Sequence, residues 1–504
     1  MPSIPRLLSS LLISALLATG CAPVPGGGGG GSGSGVSNPG DRSVRRADAQ
    51  RIGAETHQQL LAAYGGAYRD PQLQRYVESV GRRITAVTEQ PNESWTFTIL
   101  DTPEVNAFAT PGGYIYVTRG LLALANNEAE LAGVLGHEIG HVTADHSFAR
   151  RRRQGRANLG AIGAAVLGAA VGGDAGVMIQ RAGVLGAQAN VAAFSRENEF
   201  EADMLGVEYI ARAGYDPFAQ AELLSSLGAQ SALNSRLQGR EYNPNQVSFL
   251  ATHPANADRV REAIAAARRA GMTIDENAPT REAEYMAAID GMTYGDSAEQ
   301  GFVRGRRFSH PVLRFTYQVP ERFTIINSAA QVTAIGPNNA GMILDGLRDE
   351  GQPLDAYIAR AWAPAIAEET RTSELRNLRR LRINGLDAAQ GEMIVELRAG
   401  VFNARLTAIR HGGQIYRLTA LSPRGNGGLN AALADATRSF RALSAAEAGR
   451  LRPYRIRTYR ARGGDTVQSL ARRLPAQQLR EQRFRVLNDI EGPLVAGDLV
   501  KLVE

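Results

Sequence analysis

Residues 127–142 read NEAELAGVLGHEIGHV, and the pentapeptide His137-Glu138-Ile139-Gly140-His141 within them decides how the chain is read. Asn127 followed by Glu130 has the form of a helix N-cap with a carboxylate at the third helical position. Leu131, Val134, Leu135 and Val142 then recur at helical spacing. Together they predict a helix of about five turns. On such a helix His137 and His141 share a face, so both imidazoles reach one metal ion while Glu138 reaches a water beside it. Multiplying residue frequencies gives on the order of 0.005 chance occurrences of the pattern His-Glu-x-x-His per chain. A zinc hydrolase is therefore the first reading, and its rival is a buried helix whose histidines are satisfied by backbone carbonyls.

Two histidines leave a zinc ion one protein ligand short, with a fourth position for water. Residues 195–203, SRENEFEAD, open a second predicted helix on which Glu199 and Asp203 share a face. Glu199 is the expected third ligand. Asp203 is the expected carboxylate partner that accepts a hydrogen bond from a ligand imidazole and fixes its tautomer. Glu197 and Glu201 read as an ordinary solvated acidic face, His146 reads as lining the cleft, and His57, His310 and His411 have no comparable setting.

His137-Glu138-x-x-His141 followed by Glu199-Phe200-Glu201-Ala202-Asp203 resembles the BepA/HtpX-like zinc metalloproteases, a gluzincin-type family that includes the CAAX prenyl proteases. Residues 106–113, NAFATPGG, with Thr118-Arg119-Gly120-Leu121-Leu122, are similar to that family's substrate-edge segment. Thr252-His253-Pro254 with Arg259 is similar to a segment whose histidine caps the zinc in resting periplasmic members. The resemblance covers residues 45–270 and implies one Zn2+ per chain, with Glu138 as general base and acid in peptide hydrolysis. It also implies that the strand Tyr114, Ile115, Tyr116 and Val117 pairs with an extended substrate, which reads backbone more than side chains and suits unfolded or misassembled proteins. For His253 two readings stay open, a regulatory zinc cap and a turn residue before proline.

The N-terminus sets the compartment. Arg6 precedes an apolar run from Leu7 to Ala18, too short for a membrane span and of the form of a secretory signal peptide over residues 1–20. Leu17-Ala18-Thr19-Gly20-Cys21 resembles a bacterial lipobox, with Leu17 one place further from the cysteine than usual. Cys21, the only cysteine, is the expected site of lipid attachment, and the alternative is a plain cleavage site leaving a free thiol. The Gly/Ser tract that follows gives residues 21–44 the character of a flexible leash. The expected location is the periplasm, tethered to the outer membrane. The net charge of +6 rests almost wholly on arginine, since Lys501 is the only lysine, and no basic run is interleaved with aromatics, so nucleic acid is not an expected partner.

The expected fold class is α+β. A mainly helical zincin-like metalloprotease domain with a small antiparallel sheet (45–275) precedes a linker (276–301), an α+β domain (302–448) and a LysM-like βααβ module (449–504). In the first of these, Trp95–Leu100 and Tyr114–Thr118 alternate as strands around the turn Pro111-Gly112-Gly113, and the Gly/Ala/Val/Leu-rich stretch 157–193 reads as a helical hairpin covering the active site. The α+β domain has a weak similarity to PsbP-like domains through residues 315–320, FTYQVP. The last module is similar to LysM through Gly464–Ala471, Phe484–Asn488 and Val495–Val503, which implies contact with peptidoglycan. The functional reading is a zinc-dependent endopeptidase of the cell envelope acting on misfolded or misassembled envelope proteins. The alternative is a non-catalytic, chaperone-like or peptidoglycan-binding lipoprotein.

Overall fold

Pro71 begins the first helix whose role is legible from its ends. Asp70 accepts hydrogen bonds from the Gln72 and Leu73 backbones, and the proline fills a first-turn position that needs no N–H. The computed structural model describes residues 39–146, 194–237, 248–250, 253–254, 257–269, 279–397, 399–475 and 478–504. The signal peptide, the Cys21 anchor, residues 21–38 of the leash and the 157–193 hairpin lie outside the described residues; the expected leash is corrected at its end, where residues 39–44 are helical.

Helices α1 (Pro39–Ala63) and α2 (Pro71–Thr85) lead into a three-stranded sheet, β1 (Thr96–Leu100), β2 (Ala107–Thr110) and β3 (Tyr114–Thr118). Helices α3 (Arg119–Leu124) and α4 (Glu128–Thr143) follow directly, and α5 (Arg196–Arg212), α6 (Ala219–Leu237) and α7 (Ala257–Arg269) complete the helical layer. The sheet order is β1-β3-β2, with β1 parallel and β2 antiparallel to β3. The expected antiparallel pairing of the two recognised strands is thus corrected: the short strand β2 carries the chain back between them. Gly112 and Gly113, at φ 86° and 79°, make the β2–β3 turn in a backbone region that glycine enters without strain.

Residues 302–448 form a separate antiparallel system. An eight-stranded sheet runs, in spatial order, Thr324–Asn327, Gln331–Ile335, Gly341–Arg348, Gln414–Pro423, Gly400–His411, Leu386–Leu397 and Arg371–Thr372, with Arg376–Ile383 also pairing with Leu386–Leu397. The helix Gly427–Arg438 packs on it, and Phe315, Tyr416 and Phe440 stack in its core.

The expected linker at 276–301 is corrected as well. Within it α8 (Glu282–Ile289) buries Tyr285, Met286 and Ile289, and Thr293–Tyr294 pairs with the C-terminal strand Tyr454–Arg460. The C-terminal segment has the expected order of strand, two helices (Val467–Ala471, Arg480–Asn488) and strand (Leu499–Val503). Its apolar side is not a private core: Ile456, Leu470, Phe484, Leu487, Val500 and Leu502 join one continuous core with Leu121, Leu131, Leu135 and Leu223 of the helical domain. Lys501 is fully buried there and donates to the carbonyls of Ala123, Leu124 and Ala125 at 2.9, 3.1 and 2.8 Å. The last strand therefore ties down the end of α3, immediately before the metal helix begins.

Candidate metal centre

The N-terminus of α4 is held by side chains from four directions. Asn127 caps it by accepting from the Glu130 N–H at 2.8 Å, and its amide donates to Glu130 Oε1 at 3.1 Å. Glu128 accepts from Tyr76 and Tyr215 hydroxyls at 2.6 and 2.8 Å and from Arg83 and Arg281 at 2.7 and 2.9 Å. Burial alone would raise the Glu128 carboxyl, but these four donors outweigh it and hold it below its ordinary value. From Glu128 to His141 every residue of α4 is buried. Helix position, not surface polarity, therefore decides where His137, Glu138 and His141 sit.

Helix α5 crosses α4 at Gly136, Gly140 and Gly206. A Cβ on Gly206 would stand 2.7 Å from Gln220 Oε1 and 2.9 Å from the His137 backbone nitrogen, so the close approach requires glycine. That approach brings Glu199 to the two histidines. His137 Nε2 and His141 Nε2 are 3.0 Å apart, and the Glu199 oxygens lie 3.6 Å from the first and 3.5 Å from the second. Ligands at about 2.0–2.1 Å in a tetrahedron stand roughly 3.3 Å from one another, so this buried trio has the donor set and spacing of a zinc site.

Asp203 lies where its spacing predicts, with Oδ1 2.9 Å from His137 Nδ1. Arg259 of α7 grips the same carboxylate with Nε and Nη2, each at 2.7 Å, and reaches Glu199 with Nη1 at 2.8 Å, while Gln220 donates to Asp203 at 2.9 Å. Burial works against every charge here, yet the pairing prevails. Asp203 is held down to about 2 by Arg259 and His137, and His137 is raised to about 9 by Asp203 and Glu199. Glu138 is 1% exposed on the same helix as the two histidines.

The sequence reading missed three contacts. Asp145, with φ 55°, turns the chain back at the end of α4, so that His146 Nδ1 comes within 2.9 Å of His141 Nδ1. His146 Nε2 in turn lies 3.1 Å from Glu201 Oε2, so Glu201 is not merely a solvated acid. Phe194 stacks on His141 with ring centroids 4.0 Å apart. Spacing could not reveal these contacts, because a residue five places along a continuous helix points away from the ligand face.

Residues 71–267, which contain all of these groups, match Peptidase family M48. This segment is an M48 peptidase domain. The beta-barrel assembly-enhancing protease of Escherichia coli (strain K12) is 31% identical over 198 residues, 38% of this chain and 39% of that one. The mitochondrial metalloendopeptidase OMA1 of Schizosaccharomyces pombe is 28% identical over 217 residues, 42% of this chain and 59% of that one. The chain thus spans less than two thirds of the length of these relatives. Among solved structures, cyanobacterial PsbP from Synechocystis sp. PCC 6803 aligns over 28% of this chain at 11% identity, with a TM-score of 0.24 that carries no argument about fold.

One expectation for the M48 domain changes with the structure. The strand Tyr114, Ile115, Tyr116 and Val117 cannot take a substrate as a new neighbour, because β3 is hydrogen-bonded to β1 on one side and β2 on the other. The outer side of β1 is also engaged: Tyr68 donates to Ile99 O, and Gln74 bridges Phe97 O and the Ile99 N–H. The remaining edge is β2, which packs beside α4. β2 lies within residues 106–113, the segment similar to the family's substrate edge, but its four residues, Ala-Phe-Ala-Thr, carry too little strand signal to be read as a strand. The backbone of His253 pairs with Leu250 in a two-stranded ladder, and its side chain lies outside the described residues.

Proposed function

We propose that the chain is a zinc-dependent endopeptidase of the cell envelope, and that His137, His141 and Glu199 hold the metal. The mutual spacing of their donor atoms, 3.0 to 3.6 Å, carries this reading. Zinc bound there would polarise a water and the scissile carbonyl. Asp203 keeps the proton of His137 on Nδ1, so that the Nε2 lone pair can take the metal, and Arg259 keeps Asp203 ionised. Glu138 removes a proton from the attacking water and returns one to the leaving amine.

The substrate enters as an extended segment along the β2 edge, Ala107 to Thr110, in place of the strand first expected to receive it. Recognition through main-chain hydrogen bonds suits unfolded or misassembled envelope proteins, and the name of the Escherichia coli relative supports that class. Cys21 carries the lipid that tethers the enzyme to the outer membrane from the periplasmic side, and His253 caps the metal at rest. In the LysM-like module, Arg462, Gly463, Gly464 and residues 495–498 are exposed despite the shared core, which leaves that face open to peptidoglycan. No helix among the described residues is long and apolar enough to cross a membrane. The test is chelator-sensitive cleavage of an unfolded protein. Restoration by one equivalent of zinc supports the reading, and zinc binding without cleavage by the wild type contradicts it.

A further inference from the structure

His141 differs from His137 in what stands behind it. His137 Nδ1 faces the Asp203 carboxylate directly, whereas His141 Nδ1 faces another imidazole, His146, at 2.9 Å. His146 is 3% exposed, and its far nitrogen Nε2 faces Glu201 Oε2 at 3.1 Å, with the Glu201 side chain 57% exposed. A neutral imidazole has one donor and one acceptor nitrogen, and an ionised carboxylate only accepts. Glu201 therefore requires the His146 proton on Nε2. His146 Nδ1 is then an acceptor, and its contact with His141 requires the His141 proton on Nδ1. The His141 lone pair is thereby left on Nε2, the atom 3.0 Å from His137 Nε2 and 3.5 Å from Glu199 Oε1.

We propose that Glu201 and His146 form a positioning relay that sets the tautomer of His141 from the protein surface. Without Glu201, His146 is free to take the opposite tautomer and donate from Nδ1. His141 would then carry its proton on Nε2, where the metal must bind. Phe194, stacked at 4.0 Å and 20° on the ring, opposes rotation of His141, so the proton arrangement decides whether the Nε2 lone pair faces the metal. Asp145 in the left-handed region places His146 under His141. The two ligand histidines are thus oriented by two devices, one buried and direct, the other running through a second imidazole to an exposed carboxylate.

The relay rests on the metal-site assignment, and one set of measurements separates the two. In the full chain, zinc affinity is measured by chelator competition, and ligand geometry by the visible spectrum of the Co2+-substituted protein. Glu201→Leu removes the terminal acceptor, and His146→Phe removes the relay while keeping a ring. Glu201→Gln and His146→Asn each retain an acceptor oxygen where one is needed. The first pair should weaken zinc binding about 10- to 100-fold and alter the cobalt spectrum, while the second pair stays within a few-fold of wild type. A wild type that binds no zinc refutes the site itself. Wild-type zinc affinity in Glu201→Leu overturns the relay alone, and because that residue is exposed the result stands even if His146→Phe fails to fold.

Discussion

Lys501→Met tests whether the C-terminal strand supports the metal helix. The substitution keeps the buried aliphatic stem but removes three donors from the carbonyls of Ala123, Leu124 and Ala125, and removes the cation that lowers Glu130. Leaving buried carbonyls without their donor costs about 1–3 kcal/mol. The upper end, about 3 kcal/mol, applies because three carbonyls lose it together, while Glu130 keeps donors from Asn126 and Asn127. At roughly 2–4 °C per kcal/mol for a cooperative unit of 150–250 residues, the unfolding midpoint should fall by about 6–12 °C.

The sign of the pH dependence follows from two opposed shifts. Burial pushes Lys501 down to about 7, so its charged form costs the fold, and wild type recovers stability as pH rises from about 7 toward 10.5. Burial raises Glu130 to about 8, so its contribution is complete below 4.5 and is lost as pH rises through about 8. The variant keeps only the second dependence, so its deficit should be larger at pH 9 than at pH 6 by differential scanning calorimetry. An unchanged midpoint, or a deficit that shrinks at pH 9, refutes the clasp.

Deleting residues 454–504 should expose the shared core and leave the M48 domain protease-sensitive and largely insoluble, as limited proteolysis would report; a stable, monodisperse truncation contradicts the common core. Gly206→Val places side-chain atoms against the His137 backbone and should cost about 1–3 kcal/mol while weakening zinc binding at least 10-fold, measured by chelator competition. Asp203→Ala leaves His137 Nδ1 without its acceptor and Arg259 without its main partner, and should lower zinc affinity about 10- to 100-fold. Ala109→Pro removes an N–H on the side of β2 that faces away from β3 and should reduce cleavage of unfolded protein with zinc content unchanged, whereas equal cleavage would remove β2 as the substrate edge.

Much of the centre is legible in the residues because it is helical. The four-residue spacings His137–His141 and Glu199–Asp203 each fix a shared face, and the Asn127–Glu130 pair marks where α4 starts. What escapes depends on chain reversals and long-range packing. The left-handed Asp145 swings His146 back under His141, and the short strand β2 inserts beside β3 and takes away its free edge. The last strand joins a core begun more than three hundred residues earlier, with Lys501 donating to Ala123–Ala125. Periodicity does carry the βααβ order of the last module, but the apolar side of a small module is the same pattern whether it closes on itself or on a neighbour.

The central claim is that the buried trio holds a catalytic zinc with Glu138 as the proton carrier. Glu138→Gln, assayed for metal content and for cleavage of an unfolded protein in parallel, tests it most directly. The account predicts one zinc per chain in both proteins and a loss of cleavage of about 100- to 10,000-fold in the variant. Equal cleavage by the two proteins, with zinc bound to both, would contradict it.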